Sequence, residues 1–196
     1  MPEVLNTFSQ IFAEPQALAI FLPALLAVFG YIITHIFAVR RQLHDARVEF
    51  LNAQIRDLYG PLYAIDASNR AAWISFRAKY RPDISSYFKK ENPPSEEETK
   101  AFVQWMRSVF HPNNKRMHDV ITSNAHLIEG NDFPESFREF LIHVETYQVV
   151  IDQWDAGNFS EYTSRNNYPR DTFSSEVEDS FLKLKRRQKR LLRRWR

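Results

Sequence analysis

The sequence predicts an all-α protein, with one N-terminal transmembrane helix continuing into a cytoplasmic helical bundle. Three observations predict it. Residues 17–39 read ALAIFLPALLAVFGYIITHIFAV, without an acid, a lysine or an arginine. Beyond them, apolar residues recur at the i, i+3, i+4 spacing of amphipathic helices. The chain has only four glycines, and no stretch alternates convincingly enough for a strand.

The apolar segment decides the setting. At 1.5 Å per residue it makes about 34 Å of helix, enough for a hydrocarbon core of about 30 Å. A cleavable signal peptide needs a basic leader, a shorter apolar stretch and a small-x-small cleavage site. Here Glu3 and Glu14 are the only charged side chains before the segment, and Val39-Arg40-Arg41 follows it. An uncleaved signal-anchor fits better. Arg40, Arg41 and Arg47 place the C-terminal side in the cytoplasm and the N-terminus outside, the topology of a single-pass membrane protein. Residues 1–16 form a short outer-face N-terminus, where Val4, Leu5, Phe8, Ile11 and Phe12 reach the lipid interface. Within the span, Ala27, Gly30, Thr34 and Ala38 form one narrow face of small residues. Such a face lets two membrane helices approach closely. It predicts a homo-oligomer or another membrane protein as partner, beside the bilayer itself; the plainer alternative is a stripe facing lipid.

Behind the anchor, Val48, Leu51, Ile55, Leu58, Leu62 and Ile65 make a coiled-coil-like heptad seam that keeps its phase across Gly60-Pro61. A kink is expected there rather than a chain reversal, because proline removes one backbone hydrogen bond and crowds the preceding turn. Residues 40–80 are therefore expected to form a juxtamembrane stalk, and the proline-flanked residues 81–94 a linker. Ser95 and Glu98 then form a capping box. The helix they open shows Phe102, Trp105, Met106 and Val109 and is expected to stop near His111-Pro112. Another follows from Asn113 to Glu129. A third begins near Pro134, buries Phe137, Phe140, Leu141, Val144, Tyr147, Ile151 and Trp154, and ends at Gly157. After a loop over 158–172, a last helix begins around Ser174. The bundle occupies 95–182.

The net charge of +2 hides a marked asymmetry. The last fourteen residues, KLKRRQKRLLRRWR, carry nine basic side chains and no acid. Lys183, Lys185, Arg186, Arg187, Lys189, Arg190, Arg193, Arg194 and Arg196 border an apolar strip of Phe181, Leu184, Leu191, Leu192 and Trp195. This is the composition of a helix that lies on an anionic lipid surface. A strip packed on the bundle with solvated charges is the plainer alternative, and nucleic acid is a lesser partner for the same cluster.

No catalytic, cofactor-binding or metal-binding residue is expected. Cysteine is absent, which excludes thiolate chemistry and disulfides. No phosphate loop, dinucleotide fingerprint, nucleophile elbow or HExxH motif occurs. The pairs His126/Glu129 and Glu139/His143 lack partners at di-iron spacing on other helices. The histidines, His143 included, read as surface or helix-end residues, and Asn124 as a satisfied core amide.

The stretch RVEFLNAQIRDLYGPLYA from Arg47 to Ala64 resembles a segment of uncharacterised bacterial single-pass membrane proteins, which place it just after their membrane helix. Asn124–Ile128 (NAHLI) and Trp154–Ser160 (WDAGNFS) are similar to the same group. The resemblance covers most of the chain; it implies an inner-membrane setting with a helical cytoplasmic domain and brings no assigned activity. The expected function is that of a membrane-anchored helical interaction protein: scaffold, sensor or adaptor. The alternatives are an effector touching anionic lipid or nucleic acid through its tail, and an enzyme whose site is assembled from distant segments.

Overall fold

The computed structural model describes residues 15–82, 87–88, 90–130 and 132–193, with side chains from residue 21 onward. Among them every regular element is helical and none is a strand. The elements are α1 (Pro15–Ala53), a π-helical turn (Gln54–Tyr59), α2 (Gly60–Tyr80), α3 (Glu96–Trp105), a second π-helical turn (Met106–Phe110), α4 (His111–Ser123), a 3-10 turn (Ala125–Leu127), α5 (Glu135–Asp155) and α6 (Arg170–Arg193). The expected outer-interface residues Val4, Leu5, Phe8, Ile11 and Phe12 lie outside the described residues.

The chain divides into two units, Met1–Glu49 and Phe50–Arg196. In the first, one helix is long and apolar enough to cross a membrane. Every residue from Phe21 to Val39 is exposed, Leu26, Tyr31 and Phe37 by 62–69%. Ala27, Gly30, Thr34 and Ala38 are exposed too. A Cβ added at Gly30 would meet nothing within 4 Å, and the Thr34 hydroxyl is turned back onto the Gly30 and Tyr31 carbonyls.

The second unit begins within the segment expected to be a stalk. Leu51, Leu58, Leu62 and Phe76 are at most 2% exposed, so the heptad seam and the helix beyond it belong to the core of the bundle. Two prolines shape this unit in the same way. Pro61 and Pro112 lack the N–H that an α-helical turn requires, and each stands two residues past a turn widened by one residue. The Gly60 and His111 N–H groups donate five residues back, to Ile55 and Met106. The chain passes both prolines without reversing. At Gly60-Pro61 this matches the expected continuity. At His111-Pro112 it corrects the expected stop, because the wider turn absorbs the missing hydrogen bond. The space is tight at Gly60, where a Cβ would lie 2.3 Å from the Ile55 carbonyl oxygen.

The capping box forms as the sequence implies: Ser95 Oγ accepts from the Glu98 N–H, and Glu98 Oε2 from the Ser95 N–H. Helix α4 ends earlier than expected, at Ser123, where the Asn124 amide donates to the Val120 carbonyl. Pro134 caps α5 from outside, and Gly157, at φ +80°, lets the chain leave its other end in a conformation that L side chains avoid.

Candidate functional site

The buried residues of the second unit fall into two clusters. One is a closed core built on Leu51, Leu58, Leu62, Met117, Ile121, Phe137, Phe140, Phe173, Val177 and Leu184. The other is mainly aromatic, built on Phe76, Tyr87, Phe102, Met106, Phe110, Tyr147 and Trp154, with Trp73, Trp105 and Phe88 packed against it. Beside the aromatic cluster lies a cavity of about 620 Å³, a size ordinary for a small-molecule site.

Five segments shape this cavity. Helix α2 supplies Asn69, Arg70, Trp73 and Arg77; the region of α3 and α4 supplies Phe102, Met106, Phe110 and Asn114. Helix α5 contributes His143 and Tyr147, and the loop 156–169 contributes Thr163, Ser164, Asn166, Asn167 and Tyr168, with Arg170 just beyond it. Tyr87 and Phe88 of the expected linker complete the wall.

The loop is tied down by side chains from below. Tyr147 Oη donates to the Tyr162 carbonyl, Trp154 Nε1 to that of Glu161, and His143 Nδ1 to that of Asn166, each at 2.7 Å. Phe88 stacks on Tyr162, with ring centroids 5.8 Å apart. Below the loop, buried Asp66 accepts from Tyr168 Oη (2.7 Å) and Ser174 Oγ (2.9 Å) through one carboxylate oxygen. Its other oxygen stands 3.0 Å from Arg70 Nε, a charge contact rather than a directed hydrogen bond. Arg70 also reaches Glu178 at 3.5 Å.

The linker is held as firmly. The Arg81 guanidinium is fully buried over the Tyr87 ring, pairs with Glu98 at 3.2 Å and donates to the Asn92 carbonyl. Tyr87 Oη donates to the Glu98 carbonyl at 2.6 Å. Burial pushes the Tyr87 hydroxyl up to about 12, and it raises those of Tyr147 and Tyr168 as well. All three hydroxyls are thus spent on protein acceptors, and the cavity meets the rings instead.

Two buried side chains of the lining, Asn114 and His143, retain hydrogen-bonding capacity. Asn113 Nδ2 donates to Asn69 Oδ1 (3.0 Å), and Asn69 Nδ2 to Asn114 Oδ1 (2.8 Å). This relay fixes the Asn114 amide and leaves its Nδ2 donor without a partner among the described residues. His143 is 5% exposed, and burial lowers its pKa, so it stays neutral. Because Nδ1 carries the proton toward the Asn166 carbonyl, Nε2 is left as an acceptor. His111, 4% exposed and bonded to Gln148, is likewise held neutral by burial. The expectation of surface or helix-end histidines is thereby corrected for these two. The loop 156–169 covers the face of α5 on which His143 lies.

Chemically the cavity is equipped to bind. Ser164 is its one serine hydroxyl, and it donates to the same Asn166 carbonyl as His143 rather than to the imidazole. That is not the arrangement of a nucleophile with its base. Among the described residues, no three His, Asp or Glu side chains come together in a metal-binding group.

The basic tail lies elsewhere. Helix α6 packs Phe181, Leu184 and Leu191 against the closed core, so this part of the expected lipid-facing strip is used by the bundle. Lys183, Lys185, Arg186, Arg187, Lys189, Arg190 and Arg193 are exposed, and Lys183 pairs with Glu129 at 3.1 Å. Gln188 donates to Asn52 Oδ1 at 2.8 Å, which places the basic end of α6 beside the first residues of the unit. Arg194, Trp195 and Arg196 lie outside the described residues.

None of the cavity's binding groups is marked by a local motif. No protein-family model, curated protein or solved structure matches the chain.

Proposed function

We propose that this chain is a single-pass, membrane-anchored interaction protein. Its helical bundle lies at the inner face of the bacterial inner membrane, with the N-terminus outside, and serves there as a sensor or adaptor. The observation that carries the reading is the uncovered apolar helix surface from Phe21 to Val39, which is costly in water and favourable in lipid. The open cavity in the second unit favours a sensing role over a purely scaffolding one.

The test uses the absence of cysteine. Ser9→Cys and Ser160→Cys, made separately, give single-thiol proteins for labelling with a membrane-impermeant maleimide on spheroplasts. Cysteine at position 9 should label on intact spheroplasts, and cysteine at 160 only after lysis. Reversed labelling would overturn the topology, and release of the protein by alkaline carbonate would overturn the anchor. Association through Ala27, Gly30, Thr34 and Ala38 predicts that Gly30→Leu reduces crosslinking between copies in membranes.

A second reading assigns the tail to anionic lipid. It is supported by the exposed basic side chains and by the place of Gln188 next to Asn52. Asn52 follows Val39 by thirteen residues, a tether of at most about 45 Å. Since Phe181, Leu184 and Leu191 are occupied by the core, this attraction is mostly electrostatic, at about 1 kcal/mol per basic residue close to the surface. Protein in nanodiscs with anionic lipid should protect the tail from trypsin, and high salt or neutral lipid should remove that protection.

A further inference from the structure

The cavity beside the aromatic cluster belongs to no part of the anchor or the tail, and its groups define a ligand. Its walls offer ring faces, because Tyr87, Tyr147 and Tyr168 turn their hydroxyls to protein acceptors while Trp73, Phe88, Phe102 and Phe110 have none. A planar ring is what such walls accept, by stacking and edge-to-face packing. Two fixed polar groups ask more of that ring. Asn114 Nδ2 is a donor held in place by the Asn113–Asn69 relay, and His143 Nε2 is an acceptor whose tautomer is set by the Asn166 carbonyl. A ring with both an acceptor and a donor on its edge satisfies both.

Charge supplies the third requirement. The lining holds Arg70, Arg77 and Arg170 and no carboxylate. Arg70 is engaged by Asp66 and Glu178, and Arg77 Nε donates to the Arg81 carbonyl. Arg170 is exposed, and its guanidinium has no hydrogen bond or ion pair with the described residues. It stands at the start of α6, where the positive end of the helix dipole adds to its charge. An anionic group at this side of the cavity would meet a planar, bidentate donor.

We propose that the cavity binds a small anion carrying a planar ring with a hydrogen-bonding edge, the chemistry of a mononucleotide. The ring lies among Trp73, Phe102, Phe110 and Tyr147, its edge meets Asn114 and His143, and its phosphate meets Arg170. Binding tightens the loop 156–169, because that loop supplies Asn166, Tyr168 and the approach to Arg170. This inference deepens the sensing role proposed above and rests on it. Topology and anchoring are measured without ligand, so a failure of either can be told from a failure here.

The experiment is calorimetric titration of the full chain in detergent or nanodiscs with the four common 5′-ribonucleoside monophosphates, their nucleosides and inorganic phosphate. At least one monophosphate should bind at or below about 1 mM, and its nucleoside about tenfold more weakly. Phosphate alone should give no comparable heat. Arg170→Glu, an exposed change that should leave the melting temperature of the free protein unaltered, should weaken the monophosphate by at least about tenfold and leave the nucleoside unchanged. Asn114→Asp exchanges a donor for an acceptor at constant size and should abolish binding; if that variant does not fold, Arg170→Glu decides alone. No binding by any monophosphate would overturn the proposal. So would phosphate or nucleoside binding as tightly as the monophosphate, or an Arg170→Glu protein that binds like the parent.

Discussion

The two cores of the bundle differ in what their side chains leave behind. In the closed core, aliphatic side chains from α1, α2, α4 and α6 interdigitate with Phe137, Phe140 and Phe173, and Phe140 and Phe173 stack at 4.2 Å. Branched and unbranched shapes of varied size fill space at native density. The aromatic core is made of rigid plates. Phe76 alone lies within 6.3 Å of six other rings, at interplanar angles from 29° to 75°. Plates held at such angles stabilise one another, but they do not seal a boundary. The one half of the bundle is built for stability, and the other spends part of its packing on keeping a cavity open.

The comparison can be broken most forcefully by removing one ring from each half. Phe137→Ala should cost about 3–5 kcal/mol in urea unfolding, because its site is enclosed on every side. Phe102→Ala should cost clearly less, since that ring, though only 4% exposed, lines the cavity and the new void would open into it. Equal losses would mean that the cavity wall is as tightly packed as the closed core. Gly60→Ala should come next, at about 1–3 kcal/mol, because the added Cβ would lie 2.3 Å from the Ile55 oxygen and the turn must shift. A loss below the usual helix gain of alanine over glycine would show that the widened turn yields freely.

Acid should divide the halves next. His111 and His143 have pKa values lowered by burial, and His111 touches the aromatic cluster through Tyr147, as does His143. A depressed histidine contributes its full share of stability above the unfolded value of about 6.5; that share is lost as pH falls toward the folded pKa, because only the unfolded chain takes up the proton in that window. Tryptophan fluorescence reports the aromatic half through Trp73, Trp105 and Trp154, and it should change below about pH 6.5 before the far-ultraviolet circular dichroism does. His143→Gln should reduce that early change. Simultaneous loss of both signals would mean the two cores melt as one. The smallest effect is Tyr147→Phe, which removes the bond to the Tyr162 carbonyl and should cost about 1 kcal/mol, with faster proteolysis of the loop 156–169.

Much of the architecture is legible in the sequence, for reasons visible residue by residue. The long apolar helix stands out because its uncharged run is so extended, and Ser95 with Glu98 because a capping box is wholly local. Pro112 misleads where Pro61 does not. At Pro61 the heptad phase carries across the proline, whereas at Pro112 the local rule for proline points to a helix end. The run Phe102, Met106, Phe110, Asn114, Met117, Ile121 is buried from end to end, and its spacing is the signal of the continuation. The candidate site is not legible. Asp66, Asn69, Asn114 and His143 are polar residues within helices, and their roles come from partners 23 to 108 positions away in the chain. Arg81 and Tyr87 look like linker residues because their burial depends on Glu98 and the aromatic cluster. Composition marks none of this.

The two widened turns have a consequence for how this chain tolerates insertion and deletion. A helix advances about 100° per residue, so each π-helical turn records one extra residue absorbed without disturbing the helix beyond it. Closing Gln54–Tyr59 into ordinary α-helical turns at constant length would rotate all of α2 by about that angle. Asp66, Asn69 and Trp73 would swing together out of the bundle, and Tyr168, Asn114 and the loop above them would lose their counterparts at one stroke. The widening of that six-residue segment is therefore a setting of angle, and it is the one place nearby where a residue could be lost without turning α2. A one-residue deletion within α2 itself, with no wider turn to absorb it, would re-aim the cavity wall more thoroughly than any substitution there.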